Sequence, residues 1–458
     1  MLRSCACLLL VTAVPVVTAV PAVAAPTPLQ AAIGNPGWLH LSANVRARIE
    51  SIDDQIRPGF MANEDLFSLR SVIRAEIGDG PLHLVGEIWD SRSYTVRTGS
   101  AAGTGEVNVL EPVQVHAVAD LGPVFGAGSG LVVTAGRMVL NLGSRRLIAA
   151  DDYRNTTNGY TGLRADVSAR PGAQATFIYV LPQQRLPNAF DDVRNNRFAL
   201  DRESFDARLW GGIVSFDNVL GPVHADASLF HFGERDAPGR PTRDRDLTTI
   251  DARLLVEPVA GSFDGEIEAA WQWGHTRNGL AAALPMQVVT AGYVHVDAGY
   301  SFTGRWHPRL AAEFDFASGD RPGGRYTRFD TLFGMRRADF SPGALLGAMG
   351  RSNFVTPALR LEVAPSPRSD GHVLARAMWA ASASDAFATS GVHDPTGRAG
   401  GFAGYEFDTR LRHWLVPARL RGEINADLFL RRGMLRRAPN APAGATTAYF
   451  SAAVTAFF

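Results

Sequence analysis

The sequence predicts an all-β fold, a transmembrane antiparallel up-and-down β-barrel of about 18 strands. Three observations predict it. Alternating apolar and polar segments of about 9 to 14 residues recur along the chain, the length that a tilted membrane strand needs. The connections between them alternate long and short. With a mean hydropathy of −0.03, no segment beyond the N-terminus reads as a spanning helix.

Residues Met1–Ala24 read as a secretory signal. Arg3 supplies the charge, Leu8 to Val23 the apolar run, and Ala22-Val23-Ala24 a small-residue cleavage site. Pro15 and Pro21 interrupt the run and argue against an anchor. Both cysteines, Cys5 and Cys7, fall inside it, so the exported chain is expected to have no disulfide and no cysteine metal site. Residues 25–37 are a short lead, and 38–458 form one barrel in a Gram-negative outer membrane. Charge is balanced at 45 basic and 45 acidic residues, which argues against a nucleic-acid partner. There is no lysine, so every basic side chain except histidine is a planar, permanently charged fork.

The first strand, 38–50, alternates strictly: Leu39, Leu41, Ala43, Val45, Ala47 and Ile49 against His40, Ser42, Asn44, Arg46, Arg48 and Glu50. Similar patterns follow at 65–78, 82–93, 110–121, 130–140, 158–169, 173–181, 206–217 and 223–233. They continue at 247–258, 263–274, 288–301, 306–317, 353–364, 372–383, 403–415, 418–431 and 447–458. Linkers alternate from the start: long at 51–64, short at 79–81, long at 94–109, short at 122–129, long at 141–157. Short periplasmic turns and long extracellular loops occur in this order in outer-membrane barrels. The last strand carries Phe450, Val454 and Phe458 on one apolar face and resembles the closing strand of such barrels. Trp38, Trp306 and Trp414 stand at strand ends, as interface aromatics do.

Alternation assigns faces. Ile73, Leu163, Ile267, Phe314, Phe316, Leu361 and Leu428 are expected toward lipid. Arg46, Arg48, Arg70, Arg74, Glu87, Arg137, Arg164, Arg208, Glu313, Asp315, Arg360, Arg410 and Arg421 are expected toward the lumen. An arginine on the lipid side would cost about 2–4 kcal/mol near the midplane. The lumen has two readings: Arg–carboxylate ladders that stiffen the wall, or an excess of arginine that forms an anion-selective constriction. The loop 318–352 either folds inward as a constriction or stays outside.

At 136–164 the chain reads GRMVLNLGSRRLIAADDYRNTTNGYTGLR, and at 313–340 EFDFASGDRPGGRYTRFDTLFGMRRADF. With Leu110-Glu111-Pro112 and the segment Val85 to Arg92, these stretches resemble the alginate-export family of outer-membrane barrels. The resemblance implies an 18-stranded monomeric barrel whose Arg-rich pore passes an anionic polyuronate. It places Arg137 inward ahead of a loop, and Arg145 and Arg146 at the pore mouth. Where the family has a His-containing loop, this chain has Gly334-Met335-Arg336-Arg337, which puts alginate itself in question. Outer-membrane lipids and an anionic polysaccharide are the implied partners, with periplasmic export components beside them.

A general porin for uptake of small anions or oligosaccharides has the same sequence signature. A barrel enzyme has less support. His224, Asp226 and Ser228 share a face, yet no HExxH, GxSxG or Cys/His ligand set accompanies them. The loop acids Asp151, Asp152 and Asp320 read as solvated charges, so no cofactor and no metal is expected.

Overall fold

The computed structural model describes residues 27–151, 153–335, 339–341 and 343–458. The predicted signal Met1–Ala24, Asp152, Arg336 and Arg337 lie outside the described residues. Eighteen strands form one antiparallel sheet. They are β1 (Leu39–Asp53), β2 (Glu64–Ile77), β3 (Leu82–Tyr94), β4 (Asn108–Asp120), β5 (Gly130–Met138) and β6 (Tyr160–Arg170). Next come β7 (Ala173–Pro182), β8 (Ala207–Phe216), β9 (Val223–Glu234), β10 (Asp246–Val256), β11 (Ser262–Arg277) and β12 (Met286–Ser301). The last are β13 (Arg309–Ala317), β14 (Phe354–Ser366), β15 (Ser369–Trp379), β16 (Phe402–Val416), β17 (Leu420–Arg431) and β18 (Thr446–Phe457). Each overlaps one of the segments expected from alternation.

Every strand pairs with its sequence neighbour, and β18 pairs with β1, which closes the sheet. Closure leaves no edge to face lipid with unpaired backbone groups. The final residue takes part: Phe458 N donates to Ala43 O at 2.8 Å and Ala43 N to Phe458 O at 3.1 Å. The short helix α1 (Pro28–Ala32) caps the beginning of β1. There Gln30 Nε2 donates to Leu39 O at 2.8 Å, and Leu41 N donates to Gln30 Oε1 at 2.7 Å.

The faces follow the alternation. Ile73, Leu163, Ile267 and Leu428 are exposed on the outside, while Arg48, Glu313, Asp315 and Arg360's partner strand residue Arg376 are buried inside. Arg208 is a correction. Buried Leu209 pairs with buried Val180, and exposed Trp210 pairs with exposed Tyr179, so Arg208 shares the outer face with Trp210. It stands at the start of β8, beside the long loop, above the level where lipid penalises charge.

Apolar side chains pack the external half of the lumen. Inward residues near the outer strand ends are apolar, among them Leu66, Phe230, Phe232, Leu247, Val289, Met378 and Phe429, and they form a core with Leu147, Ile148, Phe329, Leu345 and Met349 from inward-folded loops. Burial of that apolar surface is what draws the loops inside.

Candidate functional site

Among the described residues, the β5–β6 loop (139–159) and the β13–β14 loop (318–353) fold into the barrel. Loop backbone inside a closed barrel must find partners, since a buried unpaired amide or carbonyl is costly. These loops pair with each other. Phe333 N donates to Leu147 O at 3.0 Å, Ala149 N to Phe333 O at 3.1 Å and Met335 N to Arg145 O at 3.1 Å. The approach is close enough to require glycine: a Cβ on Gly334 would fall 1.8 Å from Arg146 O.

Arg146 joins the loops to the wall. Its Nε donates to Asp339 Oδ1 at 2.7 Å, and its Nη1 meets Glu268 at 2.5 Å and Glu266. Asp339 also receives Arg351, and Tyr293 Oη lies 3.3 Å away. Burial works to raise the Asp339 pKa, but Arg146 and Arg351 beside it hold the carboxyl well below the usual range. His295, Asp315 and Asp339 bring potential ligand atoms within 4.8 Å of one another. With two guanidiniums already on Asp339, the group is an ion-pair centre, and a divalent cation there would have to displace an arginine.

The tip of the β5–β6 loop is stapled to β1, β2 and β3. Arg46 Nη2 and Arg70 Nη1 both donate to Arg154 O, at 2.7 and 3.1 Å. Arg48 donates to Tyr153 O and pairs with Glu50 at 2.9 Å. Asn155 Nδ2 reaches the carbonyls of Leu69, Arg92 and Glu106 at 2.9–3.2 Å. Tyr153 Oη lies 3.1 Å from Tyr449 Oη and 2.9 Å from Ser451 Oγ.

Between the loops remains a cavity of about 200 Å³ lined by Arg48, Glu50, Arg57, Glu106, Asp151 and Arg154, together with Gly343, Ala344, Leu346 and Gly347. Arg57 donates to Leu346 O at 3.1 Å, and burial lowers its pKa. Arg154 pairs with Asp151 at 3.3 Å. Burial of Glu106 raises its pKa. Nearby Arg185 is pushed down by burial and by the charge of Arg154.

The structure thus brings Arg46, Arg48 and Arg70 together and spreads the other expected site residues over the wall. Arg74 meets Glu76 at 3.1 Å and Glu87 at 3.7 Å. Arg164 pairs with Asp166 at 2.8 Å, and Arg360 with Glu313 at 2.6 Å. Asp315 accepts from His295 at 2.7 Å, and Arg410 lies 3.9 Å from Asp370. Arg421 covers the Trp414 ring at 5.5 Å. Arg137 is a second correction: it pairs in register with exposed Val115, so it stands on the outer face rather than in the lumen, and its guanidinium is taken up by Glu111, Pro112 O and Glu203. Arg145 and Arg146 are buried in the loop pair rather than set at an open mouth.

Arg57, Tyr153, Arg154, Asn155, Asp339 and Arg351 escaped the sequence reading. Loops carry no period, but the apolar inward positions at the outer strand ends were a usable signal. His224 offers no serine-activating geometry: its nitrogens face Asp217 at 2.6 Å and Asp226 at 2.9 Å.

A family model described as alginate export matches residues 37–444. Solved structures from Pseudomonas aeruginosa share the fold. The outer membrane protein opdK is 12% identical with a TM-score of 0.54, over 91% of this chain and 98% of that one. OccK8 (OprE) is 9% identical with a TM-score of 0.58, over 92% and 98%. OccK2 (OpdF), solved in complex with glucuronate, is 12% identical with a TM-score of 0.55, over 91% and 96%. No curated protein matches the chain.

Proposed function

This chain belongs to the alginate-export family of outer-membrane channels, and from that premise we propose that it passes an anionic polysaccharide, alginate or a similar polyuronate, outward through an arginine-lined pore. One observation carries the reading. Arg46 and Arg70 are direct cross-strand partners on the inner face, an arrangement that like charges ordinarily disfavour. Arg48, Arg57 and Arg154 stand around the adjoining cavity, interleaved with Glu50, Glu106 and Asp151. A wall that concentrates guanidinium forks in this way suits carboxylates, which forks bind bidentately. OccK2, a barrel of the same fold, was solved in complex with glucuronate, a uronate.

In this mechanism the forks replace counterions around successive carboxylates and hand them along the wall. The barrel acts as a monomer, periplasmic components deliver the polymer, and Met1–Ala24 directs the chain to export. No catalytic step is assigned to it. A second reading, a porin for small anions, is favoured by the inward loops, whose apolar side chains pack against the strands in the external half of the lumen. Export of a polymer requires those loops to yield.

Single-channel current through the purified barrel decides between the two. Block by oligouronates and not by neutral oligosaccharides supports the polyuronate path. Free passage of small anions with equal block by both sugars favours the porin.

A further inference from the structure

The outer wall of the barrel carries a depression that the transport reading does not use. An apolar groove of about 740 Å³ runs along the lipid-facing side of β7, β8 and β9, bounded by Phe177, Tyr179, Trp210, Val214 and Leu229. Gly212 and Ala227 open it, two small residues on a face that also carries Phe177, Tyr179, Trp210 and Leu229. At its external end the groove meets Trp210, which also lines a second hollow of about 370 Å³. That hollow holds Phe205, Arg208, His231 and His275.

The two hollows differ in chemistry as the two ends of a lipid do. The lower is apolar and faces hydrocarbon. The upper is polar and lies at the ends of strands that lead into long loops, the external side of such barrels. Arg208 is exposed there, its Nε donating to Phe205 O at 2.6 Å. The His231 ring lies on the Trp210 indole, centroids 5.0 Å apart, with Nδ1 3.0 Å from Thr248 Oγ1. His275 stands directly across the strand pair from Asp246. Three of the four acids at the margin have partners: Glu234 pairs with Arg245 at 2.7 Å, Asp206 accepts from Ser204 at 2.8 Å, and Asp246 lies 3.6 Å from His231. Asp244 is the fourth.

We propose that this wall binds one phosphate-bearing glycolipid of the outer leaflet, with an acyl chain in the groove over Gly212 and a phosphate on Arg208 and His231. A guanidinium supplies charge-assisted donors to a phosphate, and an imidazole N–H adds a further donor. The Trp210 indole, apolar on its face and polar at its edge, suits the level where sugar meets acyl chain. The inference rests on the outer-membrane location and not on the polyuronate reading.

The test is native mass spectrometry of the detergent-purified full chain, mixed with phosphorylated lipid A or with the same lipid dephosphorylated. The wild-type barrel is expected to retain one phosphorylated lipid, at least about tenfold more than the dephosphorylated form. The Arg208→Ala/His231→Ala variant is expected to lose that preference while keeping its single-channel conductance. Equal retention of both lipids by the wild type overturns the proposal, and so does an unchanged preference in the variant. If the variant fails to fold, judged by heat-modifiable migration on a gel, the wild-type comparison still decides.

Discussion

Arg146 Nε donates to Asp339 Oδ1 at 2.7 Å, a side-chain tie between the β5–β6 loop and the β13–β14 loop that adds to their backbone hydrogen bonds. Neither partner can leave without stranding charge, because Arg351 also sits on Asp339 and Glu268 also sits on Arg146. Removal of one member of a buried pair typically costs about 3–5 kcal/mol. Arg146→Ala is therefore expected to loosen both loops and to raise single-channel conductance. Asp339→Asn is expected to do the same, and the double variant to add little to either. Conductance that stays at the wild-type level in both single variants would show that the loops hold without the pair.

Charge selectivity should reside where arginines face the cavity. Arg57→Ala and Arg154→Ala are expected to lower anion preference, read as a shift in reversal potential across a salt gradient. Arg137→Ala is expected to leave the reversal potential alone and to lower the thermal unfolding temperature, because its guanidinium joins Glu111 and Glu203 at the β4–β5 seam. A selectivity change in Arg137→Ala with none in Arg154→Ala would reverse these assignments.

The contrast between Arg137 and Arg154 shows what could be read from residues alone. Strand number and most faces were legible because a period of two repeats along every strand and lipid excludes charge from one side. Arg208 broke the pattern at a strand end, where that exclusion lapses. The inward loops were only half legible. Nothing in local spacing announces that Arg146 meets Glu266, Glu268 and Asp339, each more than a hundred residues away. Leu66, Phe230, Phe232 and Leu247, apolar on the inner face, were the trace the loops left in the strands. A lumen filled with water has no use for them.

The 183–206 loop should respond to pH through Asp201. Asp201 Oδ1 accepts from Asn108 Nδ2 and from Leu186 N, both at 2.8 Å. Burial, with the charge of Glu111 adding to it, pushes the carboxyl up to about 7. A carboxyl whose pKa is raised in the docked state stabilises docking most when protonated, and that contribution is lost as pH rises through the docked value. Hydrogen exchange in 183–206, corrected for intrinsic rates, is expected to quicken as pH rises from about 4 to about 7 and to level off above that. Asp201→Asn keeps the acceptor and is expected to abolish that dependence. A pH response that persists in the variant would place the titrating group elsewhere.

Gly334 tests the loop pair without removing any charge. A methyl group there would fall 1.8 Å from Arg146 O, too near to be absorbed by rotation of a side chain, because the obstacle is backbone. Gly334→Ala must therefore push the two loops apart or break the hydrogen bonds of Phe333 and Met335 to Leu147 and Arg145. The barrel wall lies outside this contact, so heat-modifiable migration should persist while conductance rises and current noise increases. Gly323→Ala serves as the control in the same loop. No atom lies within 4 Å of a Cβ built there, and although its φ of 142° adds some strain, that strain is remote from the contact. Equal currents from the two variants would mean that the approach of Gly334 to Arg146 does not hold the loops in place.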